Sequence, residues 1–335
     1  DRGTVRIRRV RSCPIPKIGS SFPSRASMIY PFQGSLVALP TPFDGEGLDL
    51  AALRRLVKAH ARCGTSGIVA CGTTAETAVL SRQEQDEVVE TVLAHAGSMS
   101  VLVGVGTNST RSTIQRAQEV ARLGVDGSRV DGLLAVTPYY NRPTRAGLDL
   151  HFDALADAVE LPIVLYNVPA RTGVDLAPQQ ARSIAARHAN VVAIKEASGD
   201  PERIDALRGD PNLTLLCGED SLIGEFMAGG AAGAINVAGN VLPGPMAAWI
   251  DSARPSGDPD RAQVLARELM PFIHAMFVET NPAPVKEALA LLGCCSSAVR
   301  PPLAPLTPHS REQVAAALGL ARGVIATSKS NVVRG

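Results

Sequence analysis

The amino-acid sequence predicts a (β/α)8 barrel, an α/β fold, followed by a C-terminal helical appendage. From residue 35 onwards, eight short apolar segments alternate with eight amphipathic ones, as is typical of parallel strands covered by helices. Polar and charged side chains gather where the predicted strands end, and this end is the catalytic face of such barrels. The first strand leads into Pro40-Thr41-Pro42-Phe43. An open doubly wound sheet would usually have a glycine-rich phosphate-binding turn there, so the barrel is favoured.

The elements follow from the spacing of apolar residues along the chain. Strands are predicted as β-branched, apolar runs at Ser35–Pro42, Gly67–Thr74, Ser100–Gly106, Gly132–Tyr140, Leu161–Pro169, Val191–Ser198, Leu213–Asp220 and Gly233–Asn240. Helices are predicted between them at Leu50–Ala61, Arg82–His95, Thr110–Leu123, Arg145–Val159, Pro178–Arg187, Pro201–Arg208, Ser221–Met227 and Pro243–Ser252. Three further helices are predicted at Arg261–Val278, Pro284–Leu292 and Ser310–Ala321, the last with a capping-box pattern at Ser310 and Gln313.

Four regions are expected: a basic leader at 1–29, the catalytic barrel at 30–256, a helical domain at 257–325 and a tail at 326–335. Residues 1–27 carry seven basic residues and one acidic residue, or +6, which leaves 1 − 6 = −5 for the rest. The leader is expected to be disordered. It is interpreted as a segment outside the fold, translated upstream of a start at Met28, in preference to an organellar transit peptide.

Composition limits the classes of function. The chain is 45% hydrophobic and 19% charged, which indicates a folded core. A mildly acidic body argues against nucleic acid as a partner. No apolar run reaches the ~18 residues of a membrane span. The six cysteines show no metal-ligand or CxxC spacing, so no metal site is expected. Cys71 and Cys217 are interpreted as reduced core residues, and a cytoplasmic location is expected.

Lys195 is the first candidate catalytic residue. It stands near the end of the predicted strand Val191–Ser198, in a chain with five lysines against 28 arginines (33 − 5). Lysine is rarely buried without a partner. A lysine removed from water can react as a neutral amine with a ketone and form a Schiff base. The alternatives are a side chain that extends to solvent or one that pairs with a carboxylate.

Hydroxyl and phenol groups follow other predicted strands. Thr73 and Thr74 could cap a helix or bind a carboxylate. Tyr139, Tyr140 and Tyr166 could serve packing or proton transfer.

Arg171 lies five residues after Tyr166. It could form a surface ion pair or bind a carboxylate through two hydrogen bonds. A Schiff-base lysine requires a keto acid, a site for its carboxylate and a group that moves protons, and these residues together could supply all three.

The motifs GTTAET, TPYYNRP, LYNVPARTG and AIKEASG, in this order, strongly resemble the 4-hydroxy-tetrahydrodipicolinate synthase (dihydrodipicolinate synthase) family of class I pyruvate-dependent aldolases. The resemblance covers the chain from about Phe32 to Leu320. It implies a lyase of the diaminopimelate and lysine pathway that condenses pyruvate with L-aspartate 4-semialdehyde. It also implies a homotetramer, built as a dimer of dimers, that needs no cofactor because the imine forms on the protein.

The resemblance assigns roles by motif. Catalytic roles are implied for Lys195 as the imine-forming residue and for a proton relay of Tyr166, Thr73 and Tyr140, the last contributed across a dimer interface. Substrate-binding roles are implied for Thr74, Arg171, Gly218 and Ile235, with Arg171 holding the carboxylate of the semialdehyde.

Two departures from the family pattern stand out. Ala75 replaces the glycine of the usual GTTGE loop, and if that position requires a positive φ the change costs on the order of 1 kcal/mol. The repeat of Val-Asp-Gly at Val125–Gly127 and Val130–Gly132 inserts roughly five residues before the fourth strand. It is expected at a helix-to-strand turn away from the catalytic face.

The resemblance also implies a remnant of a lysine effector site. Two of its residues are retained as Asn108 and Tyr139, whereas Ser112 replaces a glutamate, and Arg82 and Gln85 replace two histidines. Lysine feedback is therefore expected to be weak or absent, unless an acid such as Glu76 compensates.

The sequence leaves two rival functions open. N-acetylneuraminate lyases and keto-deoxy sugar acid aldolases share the lysine and the tyrosine turn, although Arg171 and the pair Tyr139-Tyr140 suit a shorter, dicarboxylate-like adduct. A catalytically silent barrel would be expected to have lost Lys195 or part of the relay, and neither is lost.

Overall fold

Eight parallel strands close into a barrel in the computed structural model, which describes residues 32–45 and 47–327. The strands are β1 (Gly34–Ala38), β2 (Gly67–Ala70), β3 (Ser100–Gly104), β4 (Gly132–Val136), β5 (Ile163–Asn167), β6 (Val191–Glu196), β7 (Thr214–Cys217) and β8 (Gly233–Asn236). The predicted (β/α)8 barrel is confirmed. The predicted leader and residues 328–335 of the predicted tail lie outside the described residues.

Helices cover the outside of the barrel. They are α1 (Leu50–Arg62), α2 (Arg82–His95), α3 (Thr110–Val120), α4 (Arg145–Ala158), α5 (Pro178–Arg187), α6 (Arg203–Leu207), α7 (Ile223–Ala228) and α8 (Pro243–Ser252). No helix within the described residues is long and apolar enough to cross a membrane.

Side chains alternate between two apolar layers along each strand. In β1, Leu36 belongs to the cluster inside the barrel and Val37 to the cluster beneath the helices. Leu36 is in register with Ile235 of β8, whose side chain also lies inside. Because both faces of each strand are buried, the strands are almost continuously apolar in sequence.

The strands end earlier than predicted. β2 ends at Ala70 rather than Thr74, and β4 ends at Val136 rather than Tyr140. The backbone leaves the extended conformation soon after each end, with φ 53° at Cys71 and 73° at Tyr140. The polar side chains therefore stand in loops above the barrel. The two cysteines interpreted as core residues are free and buried, as predicted.

Three helices follow the barrel: α9 (Pro259–Ala275), α10 (Ala283–Leu291) and α11 (Pro308–Thr327). α9 packs against α8 and α11, and α10 packs against α11. The capping box predicted at Ser310 is wrong, because α11 begins at Pro308 and the hydroxyl of Thr307 accepts a hydrogen bond from the amide of Ser310 at 3.3 Å. α11 also continues to Thr327, and the division of the chain into domains stays a prediction.

The inserted repeat forms a small hairpin between α3 and β4. Gly124–Val125 pairs antiparallel with Ser128–Arg129. Asp126 and Gly127 connect them with φ 47° and 86°, the positive values that a two-residue type I′ turn requires. The hairpin packs against α2 and precedes a barrel strand. It therefore lies at the end of the barrel away from the carboxyl ends of the strands, as expected.

Candidate active site

Lys195 points into the barrel at the carboxyl end of β6. It is in register with Tyr166 of β5 and Leu216 of β7, and both of these side chains lie inside the barrel. In-register residues of neighbouring parallel strands face the same side of a sheet. Lys195 is 7% exposed, and its Nζ lies 4.2 Å from the centroid of the Tyr166 ring. The first candidate is therefore a buried amine with an aromatic neighbour.

Gly218 provides the space for the Lys195 side chain. A Cβ atom at Gly218 would lie 2.8 Å from both Cγ and Cε of Lys195, closer than van der Waals contact allows. The amide of Gly218 donates a hydrogen bond of 2.7 Å to the carbonyl of Glu196. This bond restrains the backbone from moving away from the lysine. A residue with a side chain at position 218 would displace the lysine.

Asp220 ties together the ends of β7 and β8 next to this lysine. Its carboxylate is 1% exposed and accepts hydrogen bonds from the amides of Val237, at 2.9 and 3.1 Å, and Ala238, at 2.8 Å. Burial raises the pKa of Asp220 to about 6. Ile235, inside the barrel and 1% exposed, precedes this contact along β8.

Glu196 forms a second buried carboxylate network, which the sequence reasoning missed. It accepts hydrogen bonds from the side-chain amide of Asn167, at 3.1 and 3.2 Å, and from the backbone amide of Ser198, at 2.8 Å. Burial raises the pKa of Glu196. The side chains of Glu196 and Asn167 join the ends of β6 and β5. The sequence did contain a signal for this network, because Asn167 and Glu196 are polar residues at the ends of two consecutive apolar strands.

A cavity of about 550 Å³ opens above the carboxyl ends of the strands. Thr73, Tyr166 and Arg171 line it together with Tyr139. Lys195 is not among its lining residues, and its Nζ lies over the face of the Tyr166 ring. Three of the predicted site residues, which are up to 98 positions apart in sequence (171 − 73), therefore share one space.

Tyr140 stands apart from the other predicted relay residues. It is 88% exposed and does not line the cavity. Within the described residues, no hydrogen bond joins the hydroxyl groups of Thr73, Tyr140 and Tyr166. The fold of one chain therefore brings Thr73 and Tyr166 to the same cavity but leaves Tyr140 at the surface.

Comparison with known proteins identifies the family. The model of the dihydrodipicolinate synthetase family matches residues 31–321. The chain belongs to this family. It is 46% identical over 290 residues to 4-hydroxy-tetrahydrodipicolinate synthase of Thermomicrobium roseum, a match that covers 85% of this chain and 93% of the relative.

Solved structures of the family share the fold. The chloride-inhibited dihydrodipicolinate synthase of Acinetobacter baumannii, complexed with pyruvate, is 40% identical with a TM-score of 0.81, and the match covers 87% of this chain and 99% of that chain. A protein described as the first monomeric dihydrodipicolinate synthase variant is 35% identical with a TM-score of 0.83, over 87% and 97% of the two chains.

The family's threonine loop tolerates Ala75 in this chain. The residue lies in a 3-10 turn at Thr73–Ala75, and the positive φ in the loop, 57°, falls on Glu76. The strain that a positive φ would impose on Ala75 does not arise. Thr74 is 2% exposed, and its hydroxyl accepts a hydrogen bond of 2.8 Å from the side-chain amide of Asn281.

Glu76 of the same loop forms a fully buried ion pair with Lys286 of α10. Their Oε1 and Nζ atoms are 2.7 Å apart, and both side chains are 0% exposed. The second carboxylate oxygen accepts a hydrogen bond of 2.9 Å from the amide of Arg300. Burial lowers the pKa of Lys286, against the raising effect of the carboxylate. Glu76 is therefore already paired and does not offer a carboxylate to a lysine effector.

The residues of the predicted effector remnant are only partly brought together. Tyr139, Arg82 and Gln85 line the cavity, whereas Asn108 and Ser112 do not. The carbonyl of Asn108 accepts a hydrogen bond of 2.9 Å from the side chain of Asn141. Within the described residues, no cluster of three His, Cys, Asp or Glu side chains could hold a metal ion.

Proposed function

We propose that the protein is a lyase that condenses pyruvate with L-aspartate 4-semialdehyde to give 4-hydroxy-tetrahydrodipicolinate, with Lys195 as the imine-forming residue. The observation that carries this proposal is the place of Lys195. It is the buried amine at the carboxyl end of a barrel strand, against the Tyr166 ring, in a chain of this family. The product belongs to the diaminopimelate and lysine pathway, and the reaction takes place in the cytoplasm.

The chemistry follows from an amine next to a keto acid. The amine attacks the ketone carbon of pyruvate, and loss of water gives an imine. The protonated imine draws electrons from the neighbouring methyl group, so loss of a methyl proton gives an enamine. The enamine carbon bonds to the aldehyde carbon of the semialdehyde, whose oxygen takes up a proton. The substrate's own amine then displaces the lysine and closes the ring. No cofactor is needed because the protein supplies the electron sink.

We assign the proton transfers to Thr73, Tyr166 and Tyr140. Thr73 and Tyr166 line the same cavity, and a phenol can donate and accept a proton when it is suitably placed. Tyr140 is 88% exposed, so its side chain is available to enter the site of a second copy. We propose a homotetramer as the active assembly, a dimer of dimers in which each chain of a pair completes the relay of the other.

Substrate binding is assigned to two groups of residues. Thr74 binds the pyruvate carboxylate, and Gly218 and Ile235 shape the pocket around the imine. Arg171 binds the carboxylate of the semialdehyde, because it is exposed at the wall of the cavity and a guanidinium suits a carboxylate. A binding barrel without catalytic activity would not need a buried lysine at this position.

Borohydride trapping tests the imine assignment. The full-length protein is treated with pyruvate and borohydride and digested, and mass spectrometry locates the added group. We expect it on Lys195, and we expect Lys195→Arg to abolish turnover because a guanidinium stays protonated. Lys286 is the internal control, since it is also buried but is paired with Glu76. Modification of Lys286 or Lys58 instead would refute the assignment.

Substitution of Arg171 separates the two substrates. Arg171→Ala removes the guanidinium at the cavity wall without touching Lys195, so we expect a higher KM for the semialdehyde and unchanged trapping of pyruvate. Loss of a charge-assisted contact weakens binding by roughly ten- to a hundredfold. Weak trapping with unchanged semialdehyde kinetics would reverse the roles of Arg171 and Thr74.

Lysine feedback is expected to be weak. Asn108 and Tyr139 are retained as an effector remnant, but Glu76 is paired with Lys286, and Arg82 adds a cation to the wall. An ammonium group would therefore lack a carboxylate partner there. Initial rates with lysine titrated into the millimolar range test this, and half-inhibition well below about 1 mM would contradict it.

A further inference from the structure

Arg116 is a buried cation that the proposed reaction does not use. It lies in α3 and is 1% exposed. Its Nη1 pairs with Asp86 at 2.6 Å and lies 3.7 Å from Glu119. Its Nε and Nη2 atoms are buried and have no hydrogen-bond partner within the described residues. Buried donors of a charged group are normally paired because their desolvation is costly.

The two unpaired nitrogens form one edge of the guanidinium group. The N–H bonds of Nε and Nη2 point in the same direction, and this fork matches the two oxygens of a carboxylate or two oxygens of a phosphate. Asp86 occupies the Nη1 end, so it fixes the orientation of the group and leaves the fork free. The group therefore presents an unpaired, buried fork of donors at the wall of the cavity.

The cavity that Arg116 lines has an excess of positive charge. Arg82 and Arg171 line the same space. Among its described lining residues, Glu76 is the one carboxylate, and it is already paired with Lys286 at 2.7 Å. The amide side chain of Gln85 stands on the same wall. An anion that enters would meet the cations Arg82 and Arg171 and neutral polar groups at the wall, while the carboxylates of Asp86 and Glu119 lie on the Nη1 side of Arg116.

We propose that Arg116 is the anchor of an effector site for a small oxyanion, in which its Nε and Nη2 bind a carboxylate or phosphate group. The ligand of this site is an anion, whereas the lysine effector considered above would bring an ammonium group. It rests on the unpaired fork and on the charge of the cavity, and not on the assignment of Lys195, because its test is binding in the absence of both substrates.

Isothermal titration of the full-length protein tests the proposal, with succinate and inorganic phosphate as separate probes in chloride-free buffer. We expect a site at Arg116 in each chain with a Kd of about 1 mM or tighter for at least one probe, in addition to the binding of succinate that Arg171 supports. Binding of succinate identifies a carboxylate ligand, and binding of phosphate alone identifies a phosphorylated one. Failure of both probes to bind would overturn the proposal.

Variants of α3 assign the site. Arg116→Leu should weaken binding by roughly ten- to a hundredfold. Arg116→Lys keeps the charge but lacks the fork, so it should also weaken binding while leaving the fold intact, which circular dichroism checks. Arg111→Leu removes an exposed arginine of the same helix and should bind like the wild type. Arg171→Leu should also retain binding. Affinity that survives in Arg116→Lys and Arg116→Leu, or is lost in Arg171→Leu alone, would overturn the proposal.

Discussion

At the scale of single residues, the position of Lys195 depends on the absence of a side chain at Gly218. Lys195 can lie inside the barrel because Gly218 has no Cβ, which would otherwise lie 2.8 Å from two carbons of the lysine. Ala197 closes the same space, since its Cβ would be 2.9 Å from that added atom. The position of the amine is therefore set by a glycine on the neighbouring strand end.

Gly218→Ala should reduce kcat by roughly a hundredfold, because a displacement of about 1 Å at a reacting group has an effect of that size. Steady-state rates and the yield of borohydride trapping measure it. Gly319→Ala is the matched control, since no atom lies within 4 Å of the Cβ it would add, and it should retain full activity. Near-normal turnover in Gly218→Ala would show that the lysine position tolerates this change.

At the scale of elements, the C-terminal helices hold the threonine loop that follows β2. Lys286 of α10 pairs with Glu76, and the hydroxyl of Thr74 accepts a hydrogen bond from Asn281 just before that helix. The Nζ of Lys286 also lies 4.0 Å from the ring centroid of Phe43. The helical appendage thus contributes directly to the geometry of the cavity, although it carries none of the predicted catalytic residues.

Lys286→Met should lower the free energy of unfolding by about 3–5 kcal/mol, because it leaves the carboxylate of Glu76 buried without its cation. The double variant Lys286→Met/Glu76→Gln should recover part of that loss. Urea denaturation measures both. Arg187→Met, which removes exposed ion pairs with Asp149 and Asp153, is the control and should cost at most about 1 kcal/mol. An equal, small effect in both single variants would contradict the importance of the buried pair.

At the scale of the whole molecule, buried titratable groups make stability depend on pH. His60 is 0% exposed, and its burial lowers its pKa to about 4. Burial likewise lowers the pKa of His151 to about 4. Between pH 6.5 and about 4, these two histidines are protonated in the unfolded chain but stay neutral in the folded chain. The free energy of unfolding therefore falls as the pH falls. Asp220, whose pKa burial raises to about 6, acts in the opposite direction and offsets part of this loss.

His60→Gln isolates one of these groups. In the wild type, His60 should contribute a loss of about 2 kcal/mol in the free energy of unfolding between pH 7 and pH 5. The variant lacks this titration, so its stability should fall less over the same interval, whatever its stability at pH 7. Urea denaturation at both pH values measures the difference. Parallel pH profiles of the two proteins would show that His60 does not titrate as its burial predicts.

The sequence by itself determined the barrel, the order of its strands and helices, and the face on which Thr73, Tyr166, Arg171 and Lys195 would stand. It could do so because apolar periodicity is a local property of the chain, and because strands that alternate with helices run parallel and end on one face. It also contained the capping signal of α2, where Ser81 and Glu84 form a capping box that the sequence reasoning overlooked.

Only the tertiary structure decided how distant side chains are paired. The pairs Glu76–Lys286 and Thr74–Asn281 join residues more than 200 positions apart, and no periodicity specifies such partners. The same holds for the unpaired fork of Arg116, which in sequence is one of 28 arginines (33 − 5). Burial and charge depend on packing in three dimensions, so they become visible when the elements are brought together.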